Sequence, residues 1–299
     1  MSRINRRQVV GSLLGGAALP VVGCSGQKTY SGTPRFDHGV ASGDPLADRV
    51  ILWTRVSGVT AGSIDVDWVV ATDAAMQRVI RRGRAETGPE RDFTVKVDAD
   101  RLPAAAQLYY RFSAGNSTSI VGRTRTLATG VLDEAKFAVV SCANHPYGYF
   151  HVYREIAESG DLDAVLHLGD YIYEYGMGEY ATERAEALGR IPVPDHRLVT
   201  LDHYRLRHAQ YKSDPDSRAM HAAHPLIAVW DDHELANDAW RDGAENHGSD
   251  DGSWPARRDA AIQAWLEWMP VRVSHGRDST RIFRRYRYGD LLSLVMLDT

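Results

Sequence analysis

The feature that most limits the architecture is a local pattern that occurs three times: a short apolar run stops abruptly at polar side chains. Lys136 to Ser141 (KFAVVS) leads into Ser141-Cys142-Ala143-Asn144, and Ala164 to Leu168 (AVLHL) into Gly169-Asp170-Tyr171-Ile172-Tyr173-Glu174. Leu226 to Trp230 leads into Asp231-Asp232-His233-Glu234. Apolar runs this short predict buried strands. Helical stretches lie among them at Gly148 to Ser159, Leu201 to Lys212, Ser217 to Ala223 and Ala256 to Trp268. Strand and helix in this alternation predict a layered α/β domain with its polar site at strand ends. Placed side by side at one sheet edge, the three polar ends would converge. Glu179 to Arg197 reads as a long excursion, and two last strands, Arg281 to Tyr288 and Leu291 to Leu297, meet at the hairpin turn Gly289-Asp290.

The earlier part of the chain has a different period. Ile64-Asp65-Val66-Asp67-Trp68-Val69-Val70, Phe93-Thr94-Val95-Lys96-Val97 and Leu108-Tyr109-Tyr110-Arg111-Phe112 alternate apolar and polar residues between turn residues. That alternation predicts half-buried strands in a small antiparallel sandwich. With 299 residues the chain exceeds one ordinary core. The expected organisation is a linker at 25–35, an all-β N-terminal sandwich domain at 36–130 and an α/β domain at 131–299, with Ala128-Thr129-Gly130 as the junction. No catalytic cluster stands out in the sandwich, which reads as an accessory unit.

Residues 1–24 read as an address. Arg6-Arg7 precede an apolar or small run from Val9 to Val22, too short and glycine-rich for a spanning helix. The paired arginines suit the twin-arginine export machinery, and Val21-Val22-Gly23-Cys24 is similar to a lipoprotein cleavage site at which Cys24 would take a lipid anchor. An exported protein, periplasmic or held at the outer side of the membrane, is the expectation. If Cys24 is removed from the fold, Cys142 is the one remaining cysteine and forms no internal disulfide. The charge balance, 35 basic against 39 acidic side chains, provides no positive field and argues against nucleic-acid binding.

The three strand ends carry the chemistry. Asp170 follows a buried strand, where an unpaired carboxylate is costly and a cation would relieve it. Tyr173, three residues on, could reach the same ion. A phenolate at neutral pH needs a strong local positive charge, which points to a trivalent metal and to iron(III). Cys142 would supply a thiolate. Asp231 and Asp232, with waters and carbonyls, suit a hard ion such as calcium. Plainer roles stay open: Cys142 as a buried thiol, Tyr173 as a packed aromatic, and one of Asp231 and Asp232 as a helix cap. His145, His151, His203 and His208 are expected on the surface or behind the ligands, and His167 in the core.

These residues resemble a known family. Phe36-Asp37-His38-Gly39-Val40-Ala41-Ser42-Gly43-Asp44-Pro45 and Val50-Ile51-Leu52-Trp53-Thr54-Arg55, then SCAN at Ser141, HLGDYIYEYG at His167, WDDHE at Trp230 and MLDT at Met296, are similar in order and spacing to the PhoD-type alkaline phosphatase/phosphodiesterase family. The resemblance covers about residue 35 to the last residue. It implies an accessory β-sandwich before a helix-flanked metallophosphoesterase β-sandwich, and hydrolysis of phosphate mono- and diesters by metal-activated water attack with iron(III) and calcium. Cys142, Asp170 and Tyr173 fall on iron-ligand positions and Asp232 on the bridging position. His233 falls beside phosphate, and Asp231 and Asn144 are carried over with them. The family continues past MLDT into a second half-sheet with further ligands, so the resemblance implies that the fold and the metal site are incomplete at Thr299. An open sheet edge, low solubility and weak or no activity are then expected of the chain as written. A binding lipoprotein without the chemistry is the alternative; no flavin, nicotinamide or haem signature supports an oxidoreductase.

Overall fold

The computed structural model describes residues 30–273 and 281–298. The signal at 1–24, with Cys24, and most of the 25–35 linker lie outside the described residues. Among the described residues ten strands form before residue 130: β1 (Ser31–Arg35), β2 (Val40–Gly43), β3 (Val50–Arg55), β4 (Ser57–Ala61), β5 (Ile64–Ala71), β6 (Val79–Thr87), β7 (Thr94–Ala99), β8 (Gln107–Ala114), β9 (Ser117–Thr118) and β10 (Gly122–Arg125). β5 and β8 bury alternate residues, as their period requires. They form the middle of an antiparallel sheet ordered β10-β8-β5-β6, with β9 on β8.

After residue 130 come β11 (Phe137–Val140), α1 (His151–Glu158), β12 (Ala164–His167), α2 (Ala185–Leu188), α3 (Leu201–Ser213), α4 (Pro215–Ala223), β13 (Pro225–Ala228), α5 (Trp254–Trp268) and the hairpin β14 (Arg284–Tyr288) with β15 (Leu292–Met296). The three apolar runs are adjacent parallel strands, β11-β12-β13, so their polar ends emerge at the same edge. β15 pairs with β14 and with no other described strand. Among the described residues no helix is long and apolar enough to cross a membrane.

The sheet does not stop at the junction the sequence pattern marks. Its full order is β11-β12-β13-β2-β3-β7, so half its strands come from the first segment. The cause is the second edge of β13, a strand buried along its whole length that needs a partner on both sides. Wholly buried β2 supplies it in parallel, with Ser42 opposite Pro225 and Gly43 opposite Leu226. A Cβ on Gly43 would lie 2.3 Å from the carbonyl oxygen of Pro270 and 2.6 Å from that of Leu226, so only glycine fits the seam. The next residue, Asp44, is 1% exposed and accepts from the Tyr286 hydroxyl at 2.6 Å and the Arg272 N–H at 2.5 Å. That carboxylate ties the first segment to the final hairpin. On the other face α5 covers β3 and β7: Trp53 donates to the Glu267 carbonyl at 2.8 Å and packs on Trp268, while Lys96 donates to the Leu266 carbonyl.

Helix α3 has a face the hydrophobic pattern does not reveal. Thr200 caps it, its hydroxyl accepting from the His203 N–H. Its buried residues are Tyr204, Arg207, His208, Tyr211 and Lys212, at one-face helical spacing but almost wholly polar or aromatic. His208, expected on the surface or behind ligands, is fully buried, and so is His167.

Replacing Gly43 with Ala should push β2 off β13 and destabilise the protein by about 1–3 kcal/mol. Urea unfolding followed by tryptophan fluorescence would measure it. An unchanged midpoint would show that the seam tolerates a side chain.

Candidate metal centre

β12 ends at His167 and the chain turns sharply through Gly169 and Asp170, both with positive φ, 106° and 53°. A Cβ at Gly169 would meet the Asp231 Cβ and N at 2.5 Å, so the turn closes directly onto the end of the β13 segment. Cys142, just past β11, also has positive φ, 57°. The two turns bind one another: the Cys142 N–H donates to the Gly169 carbonyl at 3.3 Å and the Ala143 N–H to the Asp170 carbonyl at 2.9 Å. Two uncommon backbone conformations are thus held by mutual hydrogen bonds.

The buried Glu234 carboxylate fixes the same turns from below. It accepts the N–H of Asp170 at 3.0 Å, of Tyr171 at 2.5 Å and of Asp231 at 2.8 Å. Burial pushes its acid up, against the pull of those three donors. From the other side Arg207 on α3 donates to the carbonyls of Tyr173, Val193 and Pro194.

Above this base the expected residues come together. Asp170, Asp232 and His233 each present a ligand atom, all within 4.8 Å of one another. The Tyr173 hydroxyl donates to Asp170 Oδ2 at 3.0 Å, and the Cys142 thiol interacts with both the Asp170 carboxyl and the Tyr173 phenol. Cys142 is exposed and therefore is not a packed core thiol. Asn144 turns an unpartnered, buried Oδ1 toward the interior. Asp231 stays apart from this group: it is exposed, at the N-cap position of the turn Asp232–Glu234, with its N–H on Glu234.

Electrostatics favour a cation here. Asp170 is 7% exposed and its Oδ1 has no hydrogen-bond partner, a deficit worth about 1–3 kcal/mol. Burial raises its acid above the ordinary carboxylate range, with partial relief from His233, Tyr173 and Cys142. The Tyr173 phenol is pushed up by burial and by the Asp170 carboxylate, so without a cation it holds its proton. Carboxylate, imidazole, phenol and thiol donors around one unsatisfied oxygen fit a metal ion.

The sequence pattern assigns Glu174 no role. It is fully buried and accepts from His233 Nδ1 at 2.9 Å, the Asn237 N–H at 2.7 Å and Asn246 at 2.5 Å. Burial alone would raise its acid, but the hydrogen bond and charge of His233 hold it below the ordinary value. Burial would likewise lower His233, yet Glu174, Asp170 and Asp232 raise it to about 9. The Glu174 carboxylate on Nδ1 fixes the orientation of the ring. The available signal for Glu174 and Glu234 was position, since each closes one of the polar runs.

Family comparisons coincide with this geometry. A model for the PhoD-like phosphatase family matches residues 137–299, and one for the PhoD-like phosphatase N-terminal domain matches residues 23–128. The chain belongs to the PhoD-like phosphatase family. It is 40% identical over 279 residues to alkaline phosphatase D of Bacillus subtilis (strain 168), covering 88% of this chain and 46% of that protein. It also matches a solved structure of PhoD with a TM-score of 0.82 and 38% identity, over 91% of this chain and 53% of the other. The chain thus spans about half the length of the relatives it matches. In this PhoD-like chain the two family segments meet within one sheet, through β13 and β2.

Beneath the centre lies a second buried network. Lys212 donates to the Tyr171 hydroxyl at 3.0 Å and lies 3.0 Å from His221 Nε2, and Tyr153 pairs with His167 at 2.9 Å. Neither ring nitrogen of His208 has a partner.

Two predictions follow from the groups under the turns. Glu234→Gln puts an amide donor against backbone N–H groups and should cost about 1–3 kcal/mol of stability, read by denaturant unfolding; a neutral result would remove Glu234 as the support. Burial lowers His167 to about 3 and holds His208 and His221 well below the ordinary value, so all three stay neutral when folded. Unfolded, they take up protons below about 6.5, so stability present above that pH is lost as the pH falls toward 3. The slope approaches about 1.4 kcal/mol per pH unit for each histidine. Urea midpoints at pH 7.5 and 5 should therefore differ clearly, and His208→Gln should shrink the difference by about a third.

Proposed function

We propose that the protein is an exported, metal-dependent phosphoric ester hydrolase that cleaves phosphate mono- or diesters for phosphate scavenging. The observation that carries this reading is the convergence of Asp170, Asp232 and His233 within 4.8 Å, beside Cys142 and Tyr173, in a PhoD-like chain. Cys142, Asp170 and Tyr173 would hold iron(III), and Asp232 a calcium ion. When bound, such ions polarise phosphoryl oxygens and make a water nucleophilic at neutral pH.

The chain's own groups supply the rest. His233, anchored through Nδ1 by Glu174, turns Nε2 toward the phosphate, where it stabilises developing charge or protonates the leaving oxygen. Asn144 positions a phosphate oxygen by donating from its amide Nδ2. Glu234 and Arg207 hold the turns so that these groups need not reorganise. Export rests on Arg6-Arg7 and the Val9 to Val22 run, and attachment to the membrane on a lipid anchor at Cys24.

The test is direct. Extended to the length of its relatives and metal-replete, the protein should hydrolyse a nitrophenyl phosphate or its diester, and Asp170→Asn should reduce the rate by on the order of 100-fold. Tyr173→Phe should abolish a visible tyrosinate-to-iron charge-transfer band. A protein that binds no metal and cleaves neither ester would end this reading.

A further inference from the structure

Rings stack outward from His233. It packs on Tyr173 with centroids 4.3 Å apart and planes at 31°, and on Tyr175 at 5.5 Å. Tyr180 continues the series, 6.3 Å from Tyr173 with planes at 21° and 5.5 Å from Tyr175. Tyr180 is 61% exposed, and no apolar element covers it. It borders a cavity of about 580 Å³ that is also lined by Cys142, Asn144, Tyr147, Tyr173 and Glu183. The cavity is therefore continuous with the metal-capable group and extends from it toward solvent. Tyr147, another of its lining residues, is 54% exposed.

The lining carries one charge, the Glu183 carboxylate, and no lysine or arginine. A second anionic group on a substrate would meet repulsion and no counter-charge here. An uncharged planar ring would extend the series that runs from His233 through Tyr173 to Tyr180, and would cover tyrosine faces now open to water.

We propose that this cavity is the subsite for an uncharged aromatic ring carried by the alcohol part of the phosphoester. The inference rests on the phosphoester reading of the adjacent group and adds a substrate preference to it. Tyr180 supplies the stacking face and Tyr147 a wall. Glu183 selects against alcohols that bear further phosphates.

Calorimetric binding of phenylphosphonate and methylphosphonate to the metal-replete protein tests this without turnover. Phenylphosphonate should bind about tenfold more tightly than methylphosphonate. Tyr180→Leu should erase that margin while leaving methylphosphonate affinity unchanged, and Tyr180→Phe should keep it. Binding of both phosphonates with equal affinity, or a margin that survives in Tyr180→Leu, overturns the subsite alone. If neither phosphonate binds, the phosphoester reading fails and the subsite falls with it.

Discussion

The arrangement depends on one buried carboxylate accepting backbone N–H groups from two loops. Glu234 lies in the turn that follows β13, yet two of its three hydrogen bonds go to the turn that follows β12. Nothing else among the described contacts holds the Asp170 and Asp231 amides at the same point. Asp170 and Asp232 stand close together because their backbones share an acceptor, before any ion is considered. The carboxylates would otherwise repel, and the support beneath them is what keeps a cation-binding geometry assembled. Glu174 is a second buried acid beneath the cluster, orienting the His233 ring through Nδ1.

Much of this was readable in the residues. The three apolar runs stop where the strands stop, and their polar ends share one edge because the strands are adjacent and parallel. Asp170, Asp232 and His233 come together, and Tyr173 hydrogen-bonds to Asp170. What could not be read follows physical lines. The pairing of β2 with β13 leaves no local trace, since parallel partners can be far apart in sequence and β2 is short. Glu174 and Glu234 act on backbone N–H groups and on a histidine ring, which no spacing rule encodes. The α3 face has helical spacing but buries Arg207, His208 and Lys212, so polarity concealed it. Asp231 shows the limit of adjacency: the residue next to it joins the cluster, while its own side chain faces solvent.

The centre also depends on a polar interior. Arg207 satisfies three carbonyls, and among the described residues Lys212 lies between Tyr171 and His221 with no carboxylate partner. Such groups are costly to bury, and they are tolerated where each donor finds an acceptor. The cost buys positional precision for the turn that carries Asp170 and Tyr173.

The shared sheet also constrains the order of events during synthesis. Ser42 finds its partner at Pro225 across roughly 180 residues, so the first segment cannot finish its contacts when it leaves the ribosome. Until the later strand emerges, β2 has one free edge and Asp44 lacks the hydroxyl and amide that satisfy it. The nascent first segment should therefore remain a client of chaperones until β13 has emerged, and excising it as an independent unit should yield an aggregation-prone product.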